Sequence, residues 1–227
     1  MSSRAPIRHP AESEIRGMRI GYFEDDGRIP VTPETRSAIR KAATALKQCC
    51  FAVEQYLPED LEPIRRIWWN LFGRAGQFVM APMYAGRESD LSPILREFIR
   101  IVGAEPEFTL GEFMNTLLER DVIRGRFLSA IEHFPVLLCP VCAVPAFRHG
   151  EREWQIEGKK VKYLDAMSYS QWFNALGLPA IVVPVGRSPE GLPIGVQIVG
   201  RPYEEEIILA IAQKLEDACG DLREPVI

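Results

Sequence analysis

The sequence predicts an α/β fold in which a mixed β-sheet is flanked by helices. Residues 18–57 read as strand, helix, strand. Two β-branched apolar runs, Ala180 to Val185 and Ile194 to Val199, are separated by a stretch rich in Gly, Pro and Ser. Between these parts lie long segments with helical periodicity. Strands alternating with helices are the pattern of an α/β protein. The chain has 227 residues, 47% apolar and 26% charged, which is ordinary globular composition and enough to bury one large core.

The elements follow in order. Residues 1–16 are polar, with Pro6 and Pro10, and read as a tail or linker ahead of a single domain over 17–227. Met18 to Phe23 is a short apolar strand that ends at an acidic turn, Glu24-Asp25-Asp26-Gly27. Thr32-Pro33-Glu34 begins a helix: Thr caps free N–H groups, Pro fits the first helical position, and an acid complements the dipole. Ile39, Ala42, Ala43 and Leu46 then recur at helical spacing. Phe51 to Leu57 is the second strand. The turn at 25–30 lacks the glycines that admit a phosphate, and its two acids repel one, so no dinucleotide site is expected there.

Leu61 to Met80 reads as one helix with a broad apolar face of Leu61, Ile64, Ile67, Trp68, Leu71, Phe72, Ala75 and Phe78. Trp69 lies off that face. The face is core or subunit interface, or one wall of a substrate pocket. Leu91 to Val102 is a second helix. Thr109 to His133 is a third, with Phe113, Leu117, Leu118, Val122, Phe127 and Ile131 as its inward stripe and its charges in solvent. Phe134 to Pro140 is a buried strand. Cys139 and Cys142 form a single pair interrupted by Pro140, short of the four ligands a structural zinc needs, and read as inert core thiols. Gly150 to Lys162 is a loop or small hairpin, and Asp165 to Asn174 is helical.

The two apolar runs each follow Gly-Leu-Pro and read as antiparallel strands paired with each other. The first is apolar on both faces, which predicts an interior strand covered on both sides. The second places Ile194, Val196 and Ile198 on one face and Gly195, Gln197 and Val199 on the other. Glu204 to Cys219 closes the chain as an amphipathic helix that Gly220 stops.

Composition limits the function. Net charge is −4, and no Lys/Arg-rich run occurs, which disfavours a nucleic-acid partner. The longest apolar stretch, Phe134 to Phe147, is too short for a membrane span and holds three prolines. Five cysteines and no apolar leader suggest free thiols in a reducing compartment, the cytoplasm. No metal or other cofactor is expected.

One stretch carries a family resemblance. Asn174-x-x-Gly-Leu-Pro-Ala, a β-run, Pro-x-Gly, then Gly191-Leu-Pro-Ile-Gly-Val-Gln-x-x-Gly-Arg-Pro202 resembles the C-terminal signature of the amidase signature family. The segment Leu138-Cys-Pro-x-x-x-x-Pro-Ala-Phe147 is similar to the family's strand at its pocket rim. The resemblance implies hydrolysis of C–N amide bonds by a serine nucleophile, a bridging serine and a lysine base. Serine is weak without a positioned base, and the developing oxyanion needs preorganised donors. No Gly-Gly-Ser-Ser-Gly-like loop, no Ser-x-x-Lys and no Gly-x-Ser-x-Gly occurs in this sequence. In the family those parts lie upstream of the segment matching Met18–Phe23. The chain therefore resembles the C-terminal portion of an amidase, supplying sheet and pocket without the nucleophile. A missing N-terminal half or self-association would then complete it. A non-catalytic binding or scaffold module on the same fold is the alternative.

The resemblance also nominates substrate-binding positions and no catalytic residue. Tyr169 and Ser170 sit where relatives line the acyl side. Met167 stands seven residues before Asn174, where members that transamidate tRNA-linked substrates carry Asp. Methionine cannot pair with an ammonium or amide, which implies an apolar small-molecule amide if it is not simply core. Asn174 is either a turn residue bonding local backbone or an orienter of the serine loop.

Overall fold

The computed structural model describes residues 8–219. The start of the expected tail and the Gly220 stop lie outside them.

The opening unit forms as its sequence dictates. β1 (Arg19–Tyr22) and β2 (Ala52–Gln55) are parallel, joined by α2 (Pro33–Gln48). Thr32 Oγ1 accepts the Thr35 N–H at 3.4 Å, and Pro33 occupies the first turn. The cap and the missing donor thus remove two of the unsatisfied N–H groups of the helix end. A helical turn, α1 (Glu12–Ile15), precedes β1, and Ile15 is buried. That part of the expected tail is anchored to the core.

The segment expected as one helix is a rod of three pieces. α3 (Leu61–Trp68) runs into a π-helical turn, Trp69–Ala75, and then α4 (Gly76–Tyr84). Its inward residues are Leu61, Ile64 and Ile67, whereas Phe72 and Phe78 are exposed. α5 (Pro93–Gly103) starts at Ser92, whose Oγ accepts from Leu95 N at 3.3 Å. α6 (Leu110–Ala130) starts at a Thr109–Glu112 capping box. It runs antiparallel to the rod, with Arg74 beside Glu112, Asn70 bonded to Thr116 at 3.2 Å, and Arg66 paired with Glu119. These contacts roll Thr116, Ile123 and Phe127 inward. Leu118 and Val122, read from the sequence as inward, are 63% and 61% exposed.

The sheet has the order β2-β1-β3-β7-β6. β3 (Val136–Pro140) is buried along its length and parallel to β1. β7 (Pro193–Val199) is antiparallel to β3 and to β6 (Ala180–Arg187). The two strands pair as expected, but β6 is an edge and not an interior strand. Val183 and Val185 point into the core, while Val182 is 47% exposed. Pro184, which has no N–H to give a neighbour, already argued for an edge. Gly195 pairs with Pro184, and glycine is required there because a Cβ would stand 2.5 Å from Cγ1 of the diagonal neighbour Val182.

Helices cover both faces. α2 and α9 (Glu205–Cys219) pack on one side with Ile20, Val136, Leu138, Val196 and Ile198. α3, α6 and α8 (Ser168–Leu176) pack on the other with Leu137, Cys139 and Val199. β3 alternates between the two cores, so each of its residues is buried. A separate hairpin, β4 (Glu153–Ile156) with β5 (Lys159–Lys162), leads through α7 (Tyr163–Ala166) into α8. Gly177, at φ 64°, ends α8 in the left-handed conformation and turns the chain into β6.

Candidate functional site

The rod, α5, the hairpin and the α7–α8 junction enclose a cleft of about 1120 Å³. That volume suits a drug-sized organic molecule. One wall is Trp68 and Trp69. Ile94, Leu95, Phe98 and Ile101 of α5 form a second wall that adjoins it, and Met167, Ser170 and Gln171 line a third side. Trp69 meets Phe98 edge to face, with ring centroids 5.8 Å apart. In a regular α-helix adjacent residues diverge by about 100°. The π turn is wider, and both neighbouring tryptophans reach the cleft across it. The sequence placed Trp69 off the working face because its periodicity assumed an unbroken α-helix.

Charge around the cleft nearly balances. Arg65, Arg66, Arg100, Arg152 and Lys162 stand among Glu62, Glu97, Glu153 and Asp165. Arg65 is committed to structure: it holds Asp26 at 2.7 Å and lies over the Trp172 ring. Its Nε and Nη1 make no hydrogen bond among the described residues and are closed to solvent, with the Glu62 carboxylate 3.4 Å from Nε. The Asp165 carboxylate stands 3.9 Å away.

The acidic turn after β1 is the second feature. Asp26 Oδ1 accepts from Arg28 N at 3.0 Å and Ile29 N at 2.6 Å, and Asp25 Oδ1 accepts from Gly27 N at 2.9 Å. Tyr169 locks the turn to α8: its hydroxyl donates to the Ile29 carbonyl and accepts from Asp26 N at 3.4 Å. Burial, then the Asp26 carboxylate, push the Tyr169 phenol well above its ordinary value, so it stays a protonated donor. Next to it, Gln197 Nε2 donates to the Tyr169 carbonyl at 3.2 Å and lies 3.5 Å from Cys139 Sγ. Gln197 therefore faces the core. Burial pushes the Cys139 thiol up to about 12, so it is an inert neutral group.

The structure separates the four nominated residues. Met167 and Ser170 line the cleft, and Tyr169 and Asn174 do not. Tyr169 is fully buried because its ring fills the core beside Trp172, at a centroid distance of 5.2 Å. Asn174 is exposed, and its backbone carbonyl accepts from Gly177 N at 3.2 Å, as a helix-end residue does. Met167 is half-buried with Cys142 Sγ at 4.0 Å from its sulfur, so it serves both core and cleft wall. Ser170 Oγ donates to the Met167 carbonyl at 3.1 Å. Ser168 is fully buried, and its Oγ has no hydrogen-bond partner among the described residues. All five cysteines are free thiols. No helix among the described residues is long and apolar enough to cross a membrane.

Comparisons with known proteins agree with this architecture. The Amidase family model matches residues 2–209, and the chain belongs to that family. It is 33% identical to a fatty acid amide hydrolase of Medicago truncatula over 224 residues, which are 93% of this chain and 35% of that protein. It is 40% identical to a glutamyl-tRNA(Gln) amidotransferase subunit of Myxococcus xanthus over 228 residues, 90% of this chain and 46% of the relative. Among solved structures, a bacterial aryl acylamidase of the amidase signature family superposes with a TM-score of 0.71 at 23% identity, covering 90% of this chain and 44% of the other. A fatty acid amide hydrolase structure gives 0.75 at 16% identity, covering 96% and 42%. The chain thus spans less than half the length of these relatives.

Proposed function

We propose that this chain is the cleft-bearing portion of an amidase-type hydrolase that cleaves C–N amide bonds by serine–serine–lysine chemistry. Residues outside the chain supply the nucleophile, its base and the oxyanion donors. The observation that carries the reading is the cleft itself, a largely apolar chamber assembled inside a chain of the amidase family. Family membership and the share of each relative covered support the same reading. The serines that line the cleft, Ser92 and Ser170, are both engaged by local backbone: Ser92 Oγ accepts from Leu95 N, and Ser170 Oγ donates a hydrogen bond to the Met167 carbonyl. Ser168 is fully buried and has no hydrogen-bond partner among the described residues. A serine nucleophile requires a base at hydrogen-bond distance.

The cleft favours an apolar amide over an amino-acid amide. Met167 offers a thioether where a carboxylate would be needed to bind an ammonium group. The walls of Trp, Phe, Ile and Leu accept an alkyl or aryl chain, and the mixed rim gives no preference for a charged one.

A second reading, a binding module that borrowed the fold, is favoured by one observation: the cleft is lined within this chain alone. Turnover separates the two only when the rest of an amidase is present. The test of the isolated chain is an assay against aryl and alkyl amides, with binding followed by tryptophan fluorescence, since Trp68 and Trp69 line the cleft. We expect binding without hydrolysis. Hydrolysis abolished by Ser170→Ala, Ser168→Ala or Lys162→Ala would overturn the claim that the nucleophile lies elsewhere.

A further inference from the structure

Among the described residues, Phe98 alone lines both the cleft and a second, much smaller cavity. That cavity lies between the rod and α5. Gly73 of the π turn, Met80 and Tyr84 of α4, and Ile99 and Val102 of α5 enclose it, and its volume is about 10 Å³. A space of that size is about the least that holds one water. The cleft and the cavity are therefore neighbouring chambers with the Phe98 side chain between them.

The partition is braced on one side and free on the other. The Trp69 ring meets the Phe98 ring edge to face, at a centroid distance of 5.8 Å. Trp69 cannot retreat: a Cβ built on Gly73 would stand 3.4 Å from its indole ring and 3.6 Å from Val102 Cγ2, so the indole already rests against the rod. Val102, the one buried residue of α5, fixes that helix at the same place. Phe98 has the empty cavity at its back instead of packed atoms. Beyond it, Met80, Ile99 and Val102 offer further apolar surface.

We infer that Phe98 sets the length limit of the apolar chain that the cleft accepts on an amide substrate. A chain lying along Ile94, Leu95 and Ile101 gains affinity with each methylene it buries until it meets this ring. Past that point a longer chain must turn back toward solvent, because the space behind the ring is closed to it. A smaller residue at 98 joins the two chambers and lets the chain run on toward Met80 and Val102. The inference rests on the reading of the cleft as an amide site, and names the residue that measures the substrate there.

The test titrates the full chain with straight-chain primary amides of increasing length, with binding followed by tryptophan fluorescence. In the parent, each added methylene should tighten binding about fourfold until the chain reaches Phe98, and then no further. Phe98→Ala should bind short amides no better than the parent, and amides beyond the parent's limit at least about fourfold more tightly. A gain confined to long chains is not a consequence of damaged structure, which weakens every length. Phe98→Leu keeps an apolar side chain on α5 and should move the limit the same way by less; it carries the test if the alanine variant does not fold. Ile94→Ala alters the cleft face of α5 away from the small cavity, and should weaken binding without moving the limit. A limit unchanged in the folded Phe98 variants, or moved as far by Ile94→Ala, would overturn the inference and leave the cleft reading standing. Failure of amides of every length to bind the parent would overturn both.

Discussion

Replacing Tyr169 with Phe tests whether this residue holds the fold or binds substrate. The ring keeps its place beside Trp172, and only the hydroxyl is lost. That hydroxyl donates to the Ile29 carbonyl and accepts from Asp26 N. Ile29 is 8% exposed and the Asp26 side chain 2%, so water does not readily replace it. A lost hydrogen bond costs about 0.5–1.5 kcal/mol, and a buried acceptor left unpaired costs about 1–3 kcal/mol. The Asp26 bond is long and adds little. The expected cost is about 2 kcal/mol, with a range of about 1.5–3. For a chain of this size that is a fall of about 4–8 °C in Tm. Urea unfolding at pH 7 measures it directly, and an unchanged m value shows that the comparison is sound. Amide binding in the cleft, followed by tryptophan fluorescence, should be unchanged. A loss below about 0.5 kcal/mol together with weakened binding would show that Tyr169 serves the ligand and that the structural account is mistaken.

Two further predictions concern titrating groups. Glu24 accepts from Arg40 at 2.7 and 2.8 Å and lies 3.5 Å from Arg36; chiefly the Arg40 bond, against an opposing effect of burial, holds its carboxyl below the ordinary value. Its stabilisation is present above the unfolded value near 4 and is lost as pH falls through the depressed native value. Glu24→Gln should therefore cost about 1–2 kcal/mol at pH 7 and nothing in strong acid, and a difference that grew on acidification would contradict the assignment. Cys139 behaves oppositely: its native thiol is raised from 9.0 to about 12, so the unfolded chain ionises first and stability falls as pH rises above about 9. In the native protein at neutral pH, exposed Cys50 should label first and Cys139 only on unfolding, and five labels should appear in denaturant. A linked Cys139–Cys142 pair would refute this.

Much of the fold is legible in the sequence because local signals agree there. Thr32-Pro33-Glu34 marks a helix start by capping chemistry. The paired runs around Gly-Leu-Pro mark β6 and β7 by composition and turn residues. The misreadings have identifiable causes. β6 looked interior because its run is apolar on both faces, and Pro184 was the overlooked sign of an edge. α6 looked inward along Leu118 and Val122 because apolar residues suggest burial, whereas packing turned Thr116 inward, its hydroxyl donating to the Glu112 carbonyl at 2.8 Å. The π turn that brings Trp68 and Trp69 to the cleft leaves no periodic signal. The cleft draws residues from Glu62 to Gln171, and no local pattern reports which distant helices share a wall. Of the nominated positions, the adjacent residues Tyr169 and Ser170 of one helix diverge by about 100°, so Ser170 reached the cleft while Tyr169 turned into the core.

The central claim is that this chain contributes sheet and cleft to an amidase whose nucleophile comes from elsewhere. The most direct measurement is complementation. The chain is co-expressed with the portion of a related amidase that precedes the matched segment, and hydrolysis of an apolar aryl amide is followed. The account predicts no turnover from either part alone and turnover from the pair. That turnover should fall when Trp69→Ala or Phe98→Ala opens the cleft wall, and it should be indifferent to Ser168→Ala. Full activity from this chain alone, or paired activity lost on Ser168→Ala, would contradict it.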